Sequence, residues 1–424
     1  MIDSREKQRI TEASELLFRA SQSIRVLSHI AWPLSQREAF LRKKASKLPT
    51  IEYRPFDLEP TLALTGEARK LLGEDSSVNR WLAGIADSIE TSGRMLSACG
   101  TPEFLAHSSR LYGLPTEVLR DEKSTSLNLA NRFDDLFTNI SHLDLGAPSD
   151  ACYLASHVAD RMKSAADKLF GDQAPKVMVV DELSANALAG PKRIRIRRDA
   201  CFTDKDVAQL VNHEAYVHVA TSLNGLDQTS LKILGASHPG STKTQEGLAV
   251  FAEFITGSID IDRFRRLADR IIAIQMAIDG ADFIEVYRYF LTRVETPEQA
   301  FENARRVFRG GTLTGGTPFT KDIVYLDGLL RVHNFLRAVV TAGRSDCLLL
   351  LFCGKLDIED IPVLCELADA GLCHAPKFLP PWIADRRFLL SYLAYSSYLN
   401  SIDLGPIRAH YLEMLRDSPQ VRLG

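Results

Sequence analysis

Asn212-His213-Glu214-Ala215-Tyr216-Val217-His218, answered further on by Gln245-Glu246-Gly247-Leu248-Ala249, sets two imidazoles and two carboxylates inside apolar, helix-forming sequence. Zinc held by two His and one Glu keeps its fourth position open for water, and a further carboxylate can act as base. In the familiar zinc helix, His-Glu-x-x-His, the two His are four apart on one face. Here they are five apart. At 3.6 residues per turn, five residues turn a helix by ~500° and leave the rings ~140° apart. A regular α-helix could not aim both at one ion, so the spacing predicts a π-type turn with i→i+5 bonding between His213 and His218.

Working outward, the composition is that of an ordinary globular chain: 424 residues, 45% hydrophobic and 25% charged, enough for a sizeable core. The net charge of −3 gives no basic footprint for nucleic acid. The first residues carry charges of both signs, and no apolar run is long enough to span a membrane. The seven cysteines are scattered, odd in number and without a CxxC pair, which predicts reduced thiols in a cytoplasmic protein.

Helical periodicity dominates. It predicts a mainly α chain with a small β-sheet (α+β), divided into an N-terminal helical region over 1–147 and a catalytic domain with C-terminal helices over 148–424. A first helix is expected over 4–30, and another over 116–137, started by Pro115 and Thr116. Lys176-Val177-Met178-Val179-Val180-Asp181 reads as a strand. Arg193-Ile194-Arg195-Ile196-Arg197 alternates strictly, which predicts a half-buried edge strand, able to take an extended peptide by strand addition or simply to form a hairpin with 177–181. Thr203 or Asp204 is expected to cap the helix carrying His213, and Leu223-Asn224-Gly225 to end it. Thr244 is expected to cap a helix over 245–257.

On that helix Glu246 would be the third metal ligand. Glu253, seven residues on and two turns along the same face, would either orient a ligating His through its other ring nitrogen or form a plain salt bridge. Glu214, beside His213, is the candidate general base. Gly310 to Pro318 forms the most flexible-looking loop and does not match a phosphate-binding loop, because no Gly-Lys-Ser/Thr follows a strand. After it come Lys321, Tyr325, Arg331 and His333. A peptidase needs a donor for the tetrahedral oxyanion, and a carboxypeptidase also needs a cation for the terminal carboxylate. Tyr325 and Lys321 are the candidates, the alternative being ordinary polar residues on a helix face. Cys201 has no paired His to make it a nucleophile. His29, His107, His142, His157, His374 and His410 read as structural.

His213-Glu214-x-x-x-His218, Thr244-Gln245-Glu246-Gly247-Leu248-Ala249 and Phe319-Thr320-Lys321-Asp322-x-x-Tyr325-Leu326-Asp327-Gly328 resemble, over about 150–340, the tyrosine/histidine carboxypeptidase family. Its animal members include the microtubule-associated tyrosine carboxypeptidases, and its bacterial members are known as QEGLA-motif proteins, with a name linked to flavohaemoglobin expression. The resemblance implies a zincin-like metallopeptidase with Zn2+ on His213, His218 and Glu246 and with Glu214 as base. It implies removal of a C-terminal Tyr or similar residue from a peptide or protein. The tubulin substrate is not implied, since no extended basic region here would dock an acidic tail. The reading from a different class is a regulatory or binding protein that keeps the metal for structure alone.

Overall fold

In this computed structural model, residues 2–140, 152–181, 183, 186–200 and 202–416 are described. Their organisation turns on the crossing of two helices, Pro239–Ile255 and Val324–Thr341. The crossing is unusually close because glycine stands on both sides of it. A Cβ on Gly247 would lie 2.2 Å from the Gly328 carbonyl carbon, and one on Gly328 would lie 2.3 Å from the Lys243 carbonyl oxygen. Only residues without a side chain let the backbones meet at this distance. Glu246, next to Gly247, is thereby held against the start of the opposite helix.

The buried faces of this pair join Ile10, Leu17, Leu82 and Ile89 from the N-terminal helices Ser4–Ser23 and Ser77–Ser97. Phe352, Leu364 and Ile383 from the C-terminal segments enter the same apolar cluster. A second cluster lies under the sheet, where Val158, Met162 and Phe170 meet Ile194, Ile196, Ala215 and Val219. A third is aromatic, with Phe40 edge-on to Phe283 at 5.3 Å. The fold is mainly helical, at 66%, with one three-stranded sheet, in agreement with the α+β expectation. No helix among the described residues is long and apolar enough to cross a membrane.

The sheet corrects the sequence reading. β1 (Lys176–Val180), β2 (Ala187–Ala189) and β3 (Arg193–Arg197) lie in the order β1-β3-β2, with β3 parallel to β1 and antiparallel to β2. The Arg/Ile strand is therefore central, its hairpin partner is β2, and strand addition along β3 is blocked on both sides. Its alternation does hold: Ile194 and Ile196 are fully buried while the arginines face outward. A small sheet covered on one face gives a central strand the same pattern as an edge strand. β2 went unseen because Ala-Leu-Ala has little intrinsic strand preference and takes its form from its partner.

Several boundaries also shift. The 4–30 helix stops at Ser23, where the Ser21 and Ser23 hydroxyls bond back to the Phe18 and Ala20 carbonyls, and resumes only over Val26–His29. Pro115-Thr116 starts no helix: Asp121 accepts the Lys123 and Ser124 N–H groups, Val118 bridges Thr125, and the helix runs over Ser126–Ile140. Gly225 lies inside a helix rather than ending one, because a Cβ there would meet the Leu234 carbonyl oxygen at 2.0 Å. The 245–257 helix begins earlier, at Pro239, and Thr244 instead donates its hydroxyl to Asp357. The Gly-rich loop is pinned: Thr312 donates to the Gly315 carbonyl, and the Gly316 N–H donates to the Ala277 carbonyl. Cys99, Cys347, Cys353, Cys365 and Cys373 are free thiols, but Cys152 is disulfide-bonded, so the all-reduced expectation fails there. His142, Cys201 and the 147/148 boundary lie outside the described residues.

The crossing gives a direct expectation. Gly328→Ala should lower stability by about 1–3 kcal/mol through overpacking. Gly66→Ala, at a helical position with no heavy atom within 4 Å of the added Cβ, should be neutral or stabilising by up to ~1 kcal/mol. Urea unfolding of the two variants checks the pair.

Candidate metal centre

The chain enters the site through a helix opened by a reciprocal cap between Thr203 and Asp206. After Leu210 the helix widens into a π-helix over Val211–Val219 and narrows again at Ala220. The spacing had predicted this, and its consequence is visible: the His213 and His218 rings stand edge to face at 87°, with centroids 4.8 Å apart. Both point at Glu246. His213 Nε2 is 3.4 Å and His218 Nε2 is 3.5 Å from Glu246 Oε2. One ligand atom from each of the three lies within 4.8 Å of the others.

Each member is oriented from behind. His213 Nδ1 lies 2.6 Å from Glu253 Oε1, and Glu253, fully buried, also accepts both Arg263 Nε and Nη2 at 3.0 Å and Gln209 Nε2 at 2.8 Å. Both roles foreseen for Glu253 are thus filled at once. With Nδ1 facing this carboxylate, Nε2 is the nitrogen available to ligate once its own proton has left. Lys321 donates to Glu246 Oε1 at 2.8 Å, leaving Oε2 for the imidazoles. Lys355 donates to the His218 carbonyl at 3.0 Å and to Gln245 Oε1 at 3.1 Å. Glu214 accepts the Ala189 N–H of β2 at 3.0 Å and is 9% exposed.

The charges answer to this packing. Burial alone would raise Glu246, but Lys321 and the two imidazoles outweigh it and hold its carboxyl well below the usual range. Burial pushes Glu214 up to about 7, with the Glu246 charge adding to the effect. Burial would depress His213, but Glu246 and Glu253 reverse that and raise it to about 10. His218, buried with less compensation, falls to about 4. A cluster that balances two imidazoles against converging carboxylates, with one ring nitrogen of His213 already committed, fits a divalent cation of zinc's preferences.

Lys321 and Tyr325 do reach the site: the Tyr325 hydroxyl lies 3.5 Å from Lys321 Nζ. Arg331 and His333 do not. Arg331 pairs with Asp357 and Glu359, and His333 meets the Tyr392 hydroxyl at 3.2 Å. Sequence reasoning missed Arg263, Lys355 and the Arg306–Asp322 pair, whose two hydrogen bonds are 2.7 and 2.9 Å long. Arg263, Lys355 and Arg306 stand at no short spacing from the motifs, and although Asp322 lies beside Lys321 within one of them, no local pattern marks its partner.

A family model described as "Microtubule-associated tyrosine carboxypeptidase" matches residues 38–401, more than the 150–340 expected from the motifs. The chain belongs to this family. A mouse relative named "Putative tyrosine carboxypeptidase MATCAP2" is 28% identical over 174 residues, covering 40% of this chain and 32% of that protein. The chain thus matches about a third of that relative's length.

Glu253→Gln should weaken zinc binding by ~10–100-fold, measured by competition with a chromophoric chelator; unchanged affinity would make the Glu253 contact dispensable. Because His213 is protonated at neutral pH in the metal-free chain, loading should release roughly one proton and affinity should climb ~tenfold per pH unit below about 10. Calorimetry in buffers of differing ionisation enthalpy checks the release.

Proposed function

We propose that the chain is a zincin-like zinc carboxypeptidase that removes a C-terminal Tyr or similar residue from a peptide or protein. The observation that carries the reading is the convergence of His213, His218 and Glu246 in a buried site that also holds Glu214. Family membership supports the class of reaction. The small sheet beside the His-bearing helix, with β2 touching Glu214, supports the zincin-like design.

His213, His218 and Glu246 would hold the ion. Bound zinc supplies a Lewis acid for the scissile carbonyl and lowers the pKa of water. Glu214 takes the proton of the attacking water and returns it to the leaving amine. Its buried carboxyl, raised to about 7, suits a base working near neutrality. The Ala189 N–H fixes one of its oxygens and leaves the other for this exchange. Tyr325 is the donor for the developing oxyanion. Lys321, committed to Glu246, keeps that carboxylate aimed at the imidazoles rather than binding substrate.

Glu214→Gln should retain zinc and lower kcat by ~10²–10⁴-fold on peptides ending in Tyr, Phe or His. Mass spectrometry of product and metal content together decides it. Metal retained without turnover in either protein would favour the regulatory reading. Cleavage of C-terminally amidated peptides would indicate an endopeptidase.

A further inference from the structure

We propose that Arg270 and Arg309 form an anion subsite beside Tyr325 that takes the terminal carboxylate of the bound peptide. This rests on the carboxypeptidase reading and names the substrate group that the site recognises.

Cations crowd around Tyr325: Arg263, Arg270, Arg306, Arg309 and Lys321. Three of them have a carboxylate of their own. Arg263 holds Glu253, Arg306 grips Asp322 with two hydrogen bonds, and Lys321 holds Glu246. Arg270 only approaches Asp322, at 3.7 Å, on the oxygen that Arg306 already occupies at 2.7 Å. Among the described residues no carboxylate pairs with Arg309, although it is only 5% exposed. The Nε atoms of Arg270 and Arg309 are both buried without a hydrogen-bond partner. Buried guanidinium groups are normally paired, since an uncompensated buried charge is costly. Both lie within electrostatic reach of Asp322 and Tyr325, and two such groups around one tyrosine mark the place of a missing anion.

Their setting suits a carboxylate. Arg309 lies over the Phe319 ring at 5.4 Å and Arg270 over the Tyr325 ring at 6.0 Å. Aromatic faces fix each guanidinium plane without using its N–H groups, leaving the fork free for the two oxygens of an acid. The position also fits. The terminal carboxylate lies one residue beyond the bond to be cut, and consecutive Cα atoms are about 3.8 Å apart. Its anchor must therefore border the metal donors. Tyr325 supplies that border, with its ring 5.0 Å and its hydroxyl 3.5 Å from Lys321 Nζ, itself on Glu246.

The test is binding of N-acetyl-L-tyrosine against its amide to the zinc-loaded full chain by calorimetry, with hydrolysis of free and amidated peptides in parallel. The wild type should favour the acid by at least ~30-fold, and Arg270→Gln and Arg309→Gln should each bring the acid close to the amide, with Arg270→Lys recovering part of the loss. Without ligand, both Gln variants should melt at or above the wild-type temperature, because each removes a buried charge that has no carboxylate of its own. Should Arg309→Gln fail to fold, the Arg270 variants carry the test. Acid binding that is unchanged in the variants, or a wild type that binds acid and amide alike, overturns the proposal. The binding arm needs no turnover, so a chain that binds the acid through these arginines yet cleaves nothing would sink the peptidase reading alone. A chain that cleaves peptides while its arginine variants keep the preference would sink the subsite alone.

Discussion

Two imidazoles five residues apart can face one point only if the helix between them is unwound, and the rest of the site follows from that constraint. A π-helix over Val211–Val219 meets it, but such a helix disturbs the regular ladder where it rejoins the α form. The carbonyls there are taken up by side chains. Thr221 donates to the Val217 carbonyl at 2.8 Å, and Ser222 and Lys355 donate to the His218 carbonyl at 2.7 and 3.0 Å. Thr221 also reaches Gln245 Oε1 at 2.8 Å, tying the widened turn to the residue before Glu246. The donor set is assembled by the same hydrogen bonds that make the irregular backbone tolerable.

The second constraint is charge. Glu246, Glu253 and Asp322 are ionisable groups deep in a helical protein, and each is answered by a cation: Lys321, Arg263 and Arg306. Buried ions of this kind rarely raise stability, but removing one partner leaves the other exposed to a low dielectric. Side-chain geometry in this region is therefore interdependent. The carboxylate of Glu246 is split between its two oxygens, one to Lys321 and one to the imidazoles, and that division holds only while the Gly247–Gly328 crossing keeps the two helices together.

Much of this was written locally. The five-residue interval between His213 and His218 dictated the π-helix, and the seven-residue interval between Glu246 and Glu253 put both carboxylates on one face. What the sequence did not disclose depends on distant partners. Ala187–Ala189 becomes a strand only because Arg193–Arg197 lies beside it, so the Arg/Ile alternation was mistaken for an edge. Gly225 looked like a helix stop, yet its reason is the Leu234 carbonyl it packs against. The loop after Gly310 looked mobile from its glycines, but those glycines allow close contacts, such as Gly311 against the Thr317 carbonyl. Arg270 and Arg309 carry no motif, and only the packing shows that, among the described residues, neither has a carboxylate to itself.

Asn224, on the helix that continues from the π turn, holds the Phe352 carbonyl, the Phe378 carbonyl and the Phe378 N–H, each at 2.8 Å. Thr244, two residues before Glu246, is held by Asp357, and Lys355 closes the same interface. The segment from Phe352 to Phe378 thus acts as a keystone rather than an appendage. The smallest unit able to keep the donor atoms in register must run well past the last motif residue, and a fragment trimmed to the motifs would lose the brace that sets their spacing.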